Sequence, residues 1–330
     1  MYPFNRSRRD LLQSAFAAVA IAAAGMPLSA SAQEKKLLIG YWPIAAGLPF
    51  FAALNEGMFK AEGVNVEPVR FAGPNQAVEA LIAGRIDGCA NGVAITALAL
   101  ADALSPGMLK LVCLNFANEK YVLDQMIVPV ASSIKSIKEL SGKKVACGPG
   151  INNITLAKTI LERSGNTNFQ VVELPIGQLI PALASGQVDA AYVLEPSAVI
   201  GRLQGVTRSL GAGVVSRYAL GDPNIAWIGG AAALSAKTIK DKAELVPRFL
   251  KAYGAGVDYV RKNGLQANKH LTGYTALEGN VAQEVPISGF IAHSEVKNSD
   301  IMAIQKLFDL FTDRKVFDKQ INAAQLLYKA

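Results

Sequence analysis

From Leu37 onward, short apolar runs alternate with longer stretches whose apolar residues recur at helical spacing. Leu37 to Tyr41 reads as a buried strand, and Leu48 to Phe59 as an amphipathic helix that Gly63 follows. Val64 to Phe71 is a second strand, Gln76 to Ala83 a second helix closed by Gly84, and Ile86 to Ala90 a third strand. The order then recurs, with Lys144 to Cys147, Ile154 to Arg163, Phe169 to Glu173, Leu179 to Ser185 and Val188 to Leu194 in the same parts. Gly84 and Gly186 supply the left-handed residue that ends a helix ahead of a buried strand.

The recurrence is also visible residue by residue. Gln76, Ala80, Leu81, Gly84 and Asp87 match Gln178, Ala182, Leu183, Gly186 and Asp189, always 102 positions apart, and Gly63 with Gly165 and Val69 with Val171 keep the same offset. A unit written twice predicts two α/β lobes, each a mostly parallel sheet with helices on both faces. Beyond the second copy come the apolar run Asn224 to Leu234 and two amphipathic helices, Val246 to Arg261 and Asp300 to Phe311, with no third copy. That remainder is expected to return to the first lobe. The expected division is 33–127 plus 230–330 for lobe 1 and 128–229 for lobe 2, with crossover strands near 125–130 and 224–231.

The first residues read as an address. Ser7-Arg8-Arg9-Asp10-Leu11-Leu12-Gln13 precede an alanine-rich run from Ala15 to Met26 and then Ala30-Ser31-Ala32, which is a basic n-region, an h-region and a cleavage site after Ala32. The paired arginines resemble a twin-arginine export signal, so the expectation is a signal peptide over 1–32 and a periplasmic product. The apolar run is shorter than the roughly 20 residues that span a bilayer, and no lipid-acceptor cysteine follows it.

Composition narrows the chemistry. The chain has 33 Lys and Arg against 26 Asp and Glu, a net charge of +7, but no basic run follows the leader, so no nucleic-acid partner is expected. Three cysteines without a CxxC or Cys/His spacing indicate neither a disulfide framework nor a metal site, and Cys89 and Cys147 sit in apolar runs as buried thiols. His270 and His293, the two histidines, lie in polar loops, where surface positions are expected, and neither is near a nucleophile motif. No catalytic residue and no cofactor is expected.

In parallel sheets, ligands bind beyond the carboxyl ends of the strands, where helix N-termini present unpaired N–H groups. The loops in question are 42–50, 72–76, 148–155 and 174–179, with strand ends at Asn91-Gly92-Val93 and Tyr192 to Pro196. None of these windows contains Lys or Arg. A small monoanion or a polar neutral molecule suits helix ends and amides; a polyanion would need arginines. Asp87 and Asp189 stand at helix-to-strand turns, where a carboxylate ties down backbone N–H groups. Trp42 is either strand-end packing or a ligand wall. Glu195 is an amine ligand, a helix cap or an inter-lobe ion pair. One of Asn152 and Asn153 is expected to cap a helix and free the other for a ligand, and Trp227 is core or cleft.

Gly47-Leu48-Pro49-Phe50-Phe51-Ala52-Ala53, Gly57-Met58-Phe59, Ala80-Leu81 with Gly84 and Asp87, Leu140-Ser141-Gly142-Lys143-Lys144-Val145 and Glu195-Pro196 occur in this order. Together they resemble the solute-binding proteins of nitrate, sulfonate and taurine ABC importers, a group that includes thiamine-pyrimidine-precursor binders. The resemblance implies a two-lobe type II periplasmic binding protein fold, monomeric, that closes on a small solute and delivers it to an inner-membrane permease and its ATPase. By position it maps a ligand pocket onto Trp42, Gly47, Leu48, Asn75, Asn91, Gly92, Val93, Asn152, Asn153 and Glu195, with Tyr192 and Trp227 in second rank. The amide-rich segments 91–93 and 151–153 suit an aromatic carboxylate or a pyrimidine as well as a sulfonate. A sensor role on the same fold is the alternative to import.

Two enzymatic readings are weaker. Gly148-x-Gly150 after a strand, with Glu173 ending the next, partly imitates a dinucleotide fingerprint, but Asn153 stands where the third glycine belongs. The pyrimidine-forming enzymes that share this fold need a cofactor-bearing lysine and a cluster of cysteine and histidine, a pattern absent from this sequence.

Overall fold

A computed structural model describes residues 36–329; the expected leader and its cleavage site lie outside the described residues. The first copy of the repeat folds as β1 (Lys36–Tyr41), α1 (Leu48–Asn55), α2 (Met58–Ala61), β2 (Asn65–Arg70), α3 (Pro74–Ile82) and β3 (Gly88–Ala94). It is followed by α4 (Ile95–Leu104) and β4 (Leu109–Ala117). The second copy begins after β5 (Asp124–Pro129) and runs through β6 (Lys144–Cys147), α5 (Ile151–Arg163), β7 (Gln170–Glu173), α6 (Ile176–Ala184) and β8 (Ala190–Leu194). Then come α7 (Ser197–Leu203), β9 (Thr207–Ala212), β10 (Trp227–Ser235), α8 (Ala236–Asp241), α9 (Val246–Asn263), β11 (Gly289–Ala292), α10 (Asn298–Asp313) and α11 (Ala323–Leu326).

Among the described residues the strands form a 6-stranded sheet, β11-β4-β10-β3-β1-β2, and a 5-stranded sheet, β7-β6-β8-β5-β9. In both, the repeat supplies a parallel trio, β2-β1-β3 and β7-β6-β8. An antiparallel strand then follows in each, β10 against β3 and β5 against β8. The sheets expected to be mostly parallel thus carry an antiparallel strand beside each trio. The second sheet takes all of β5, so the boundary expected at 127/128 falls inside that strand, and the crossover strand expected near 125–130 overlaps it. The first sheet takes β10 from Trp227 onward, so the crossover expected at 224–231 and the boundary at 229/230 overlap that strand. The chain passes between the sheets at 118–123 and again at 213–226.

These two passages are bound to each other. Asp124 Oδ2 accepts from Val215 N–H at 2.8 Å, Gly213 N–H donates to Asp124 O at 2.9 Å, and Ser216 Oγ donates to Ala117 O at 3.3 Å. Arg217 pairs with Glu119. Gly213, at φ 62°, has no room for a side chain, since a Cβ would stand 2.6 Å from Glu119 N.

The repeat's turn chemistry is the same in both copies. Gly84 and Gly186 adopt φ of 67° and 70°. Asp87 then accepts from Leu38 N–H through Oδ2, and Asp189 from Lys144 N–H, each at 2.8 Å. Each aspartate also donates its own N–H back to the same residue's carbonyl at 2.8 Å. A carboxylate at this turn thus replaces a ladder bond at the start of the neighbouring strand.

Two expectations about the first lobe change. The helix expected over 48–59 breaks at Gly57, which is left-handed at φ 69°, and restarts as α2 so that Phe59 stacks on Phe249 at 5.2 Å. His270 is not a surface residue. A 3-10 turn, Gly264–Leu271, packs against α1, and the ring is only 5% exposed, between Asn55, Glu56 and Tyr259. Burial, and then Lys269, push its pKa below the usual value. His293 is half-buried, edge-on to Tyr328 at 5.7 Å. Cys89, Cys113 and Cys147 are all free and buried, and burial raises each thiol pKa to about 12. Among the described residues no helix is long and apolar enough to cross a membrane.

Candidate functional site

The carboxyl ends of β1, β3, β6 and β8 meet along a seam between the two sheets. Across it, Ala45 N–H donates to Glu195 O at 2.9 Å and Thr96 Oγ1 to Asn152 Oδ1 at 2.7 Å. Farther out, Arg202 pairs with Glu284 at 3.0 Å, and Arg314 with Glu162. Gly73 faces Pro149 so closely that a Cβ would lie 3.1 Å from the proline ring. The seam is closed, and two adjoining cavities remain in it.

The first cavity, about 20 Å³, is lined by Trp42, Ile44, Gly92, Asn115, Asn152, Asn153, Leu194 and Trp227, with Pro74, Ala94, Leu123, Gly229 and Gly230. The second, about 10 Å³, shares Trp42, Ile44, Asn153 and Leu194 and adds Gly148, Ile176, Leu179, Tyr192 and Ser197. A water needs roughly 10–15 Å³ of such space. Each cavity therefore has room for about one water, and any larger molecule requires the two walls to part.

Trp42 stands at the end of β1 as the wall common to both cavities. Its indole N–H is spent on Gly92 O at 2.7 Å, which fixes the ring. Gly92 is left-handed at φ 93°, and a Cβ there would lie 2.8 Å from Ile44 Cδ1. Trp227 opens β10 and lies over Gly229, where a Cβ would come within 2.3 Å of the indole. Its Nε1 is buried without a hydrogen-bond partner among the described residues, as is the hydroxyl of Tyr192. Burial, Asp124 and Cys147 hold the Tyr192 phenol well above its usual pKa, so it is a neutral donor.

Asn152 and Asn153 sit in the first turn of α5, but neither caps it; the N-cap is Gly150, with no side-chain bond. Asn152 uses its Oδ1 on Thr96 and keeps its amide N–H groups. Asn153 donates to Pro149 O at 2.7 Å and keeps its Oδ1.

Six of the expected pocket positions do not line either cavity. Gly47 lies under Phe51, where a Cβ would stand 2.4 Å from the ring. Leu48 belongs to the core of α1 and α9, and Val93 to the core behind β3. Segment 91–93, expected as a strand end, lies within β3, and Asn91 is committed: Oδ1 accepts from Tyr253 O–H at 2.7 Å and Nδ2 donates to Cys113 O at 3.1 Å. Asn75 opens onto a separate apolar groove of about 180 Å³ beside Ile82, Leu104 and Ile151.

Glu195 is fully buried. Gln125 Nε2 donates to its Oε1 at 2.5 Å and Val199 N–H to its Oε2 at 3.2 Å, so of its three readings the carboxylate bonds the first turn of α7. Burial raises its pKa to about 7, and raises that of the nearby Asp124 to about 6.

Polar lining residues outside the expected positions are Ser197 and Asn115. Asn115 lies in the middle of β4, 1% exposed, and accepts from Gly92 N–H at 3.2 Å. A lone amide within the apolar run Leu109 to Ala117 was the available signal. The lining contains indole, amide, phenol and hydroxyl groups and no Lys, Arg, Asp or Glu.

This two-sheet architecture with a closed seam is the periplasmic binding protein fold. It is shared with the alkanesulfonate-binding protein SsuA from Xanthomonas axonopodis pv. citri, bound to MOPS, at 21% identity over 89% of this chain and 98% of that one, TM-score 0.72. The aliphatic sulphonate binding protein SsuA from Escherichia coli is 20% identical over 89% and 92%, TM-score 0.69. The nitrate-binding protein NrtA from Synechocystis PCC 6803 is 14% identical over 73% and 66%, TM-score 0.57. A search of curated protein sequences gave no significant match. The NMT1/THI5-like family model matches residues 46–267, and the chain belongs to that family.

Proposed function

We propose that this chain is the extracytoplasmic solute-binding component of an ABC importer. On this reading 36–123 with 227–329 form one lobe and 124–226 the other, joined by the two passages between the sheets. The lobes close on one small anionic or polar solute of the sulfonate, taurine or nitrate kind, which the chain then hands to a membrane permease and its ATPase. Closure is a hinge motion driven by contacts that the solute makes with both walls. The leader over 1–32 carries the chain to the periplasm and is removed after Ala32.

The observation that carries this reading is the lining of the seam. Loops from both sheets converge there on a small closed space lined by indole, amide, phenol and hydroxyl groups, with the Trp227 N–H and the Tyr192 hydroxyl unpaired among the described residues. Such groups hold an acceptor-rich solute without transforming it. The sulfonate and nitrate binders that share the fold favour an oxoanion over a pyrimidine.

The test is a thermal-shift panel on residues 33–330 with nitrate, methanesulfonate, taurine, benzoate and an aminopyrimidine. A ligand at a hundredfold excess over its Kd adds about 2.7 kcal/mol to stability. A shift with nitrate or a sulfonate is expected. A shift with the pyrimidine alone would replace the solute class, and no shift with any of the five would remove the binding reading.

A further inference from the structure

The structure assigns Asn115 and Trp227 as the specificity-determining pair that receives the solute's oxoanion head, on one wall of the seam, ahead of closure. This rests on the solute-binding reading above. The two residues stand on neighbouring antiparallel strands, with Trp227 paired to Ala117 and Asn115 to Gly230. Both line the same cavity, and both belong to the first sheet.

Their positions are fixed before any solute arrives. Asn115 Oδ1 is held by Gly92 N–H, and a Cβ on Gly230 would stand 2.6 Å from that oxygen, so the amide fills space that glycine leaves open. With Oδ1 committed, the Nδ2 donors remain for the cavity. Gly229 likewise leaves room for the Trp227 indole, whose Nε1 is 2% exposed as a residue and has no partner. A buried, unpaired N–H costs free energy until something accepts from it. Glycines 92, 229 and 230 thus hold two donors rigidly, which is the preorganisation that binding energy rewards.

The second sheet contributes later. Asn152 reaches the cavity from α5, and its orientation depends on Thr96, across the seam, donating to its Oδ1. That bond exists only when the walls are together. The head is therefore selected by Asn115 and Trp227 in the open state, and Asn152 adds its donors on closing. Because no cationic side chain lines the cavity, the pair favours one negative charge over two.

Titration calorimetry separates the alternatives, using whichever of methanesulfonate and nitrate binds the parent chain more tightly. Trp227→Phe keeps the ring and removes the N–H; Asn115→Ala removes the donors. Each is expected to weaken binding at least about tenfold. Asn115→Asp keeps the side chain's shape and the acceptor for Gly92 N–H but places a carboxylate beside the anion, and about a hundredfold loss is expected. The order matters: a purely structural role makes Asp, which preserves the Gly92 bond, milder than Ala, whereas contact with the anion makes it worse. Asp binding as well as or better than Ala, or parent-like affinity in Trp227→Phe, overturns the assignment while the solute-binding reading stands. Failure of the parent chain to bind either anion overturns both.

Discussion

The two copies of the repeat share their turns and differ at their strand ends. At the turns, Gly84-x-x-Asp87 and Gly186-x-x-Asp189 perform the same task to the same distance, each aspartate bonding the first N–H groups of the adjacent parallel strand. At the strand ends the correspondence is lost. The first copy ends in Asn91-Gly92-Val93, with a left-handed glycine and an asparagine turned to Tyr253; the second ends in Tyr192-Val193-Leu194, with a phenol left unpaired. The turns build the sheets, while Gly92 and Tyr192 at the strand ends line the cavities of the seam. Asp87 has a further load: its Oδ1 also accepts from Thr238 at 3.0 Å and from Lys242 at 2.8 Å, and so ties α8 to the parallel trio.

That extra load gives the largest expected difference between the copies. Asp87→Ala leaves Leu38 N–H without its acceptor and takes the carboxylate from Thr238 and from the half-buried Lys242, which keeps Lys36 O, and is expected to cost about 3 kcal/mol. Asp189→Ala strands one principal N–H and is expected to cost about 1–2 kcal/mol. Equal losses in urea unfolding would mean that the α8 contacts contribute nothing.

A pH titration of stability probes the second strand end. Glu195 and Asp124 have folded pKa values of about 7 and about 6, above their ordinary 4.5 and 3.8. The folded state then binds more protons than the unfolded one between about pH 4 and 7, so stability falls as pH rises through that window and is lowest above it. For Glu195 the span is about 3 kcal/mol. Melting curves from pH 4.5 to 8 should show the decline, and Glu195→Gln should flatten about half of it, the rest belonging to Asp124. An unchanged slope in the variant would place the linkage elsewhere.

The smallest expected effect concerns what the copies share. Gly84→Ala and Gly186→Ala each force a side chain into a left-handed position with open space around it. Both should cost about 1 kcal/mol, from backbone strain alone. Unequal costs by thermal denaturation would show that one turn carries a constraint the other lacks.

Much of this was legible in the sequence because it is local. The turn glycines and aspartates, the helices α3, α6, α9 and α10, and the parallel trios follow from periodicity and punctuation within a few residues. The misreadings come from partners far along the chain. Asn91 reads as a ligand amide at a strand end until Tyr253, 162 positions away, claims it. His270 resembles a surface residue until Asn55, 215 positions away, covers it. The antiparallel β5 and β10 carry no directional mark, since an apolar run reads alike in either direction. Of the expected pocket, Trp42, Gly92, Asn152, Asn153, Tyr192 and Trp227 line the cavities, and Asn115 joins them from a strand that looked like core.

The chain has two tryptophans, Trp42 and Trp227, and both line the first cavity. Its intrinsic emission under indole excitation therefore originates at the seam and nowhere else. Each indole is buried in the closed seam, so the proposed opening would wet both, and the protein would carry its own optical gauge of that motion. Replacing either ring by phenylalanine leaves a single emitter, which reads one edge of the cleft at a time.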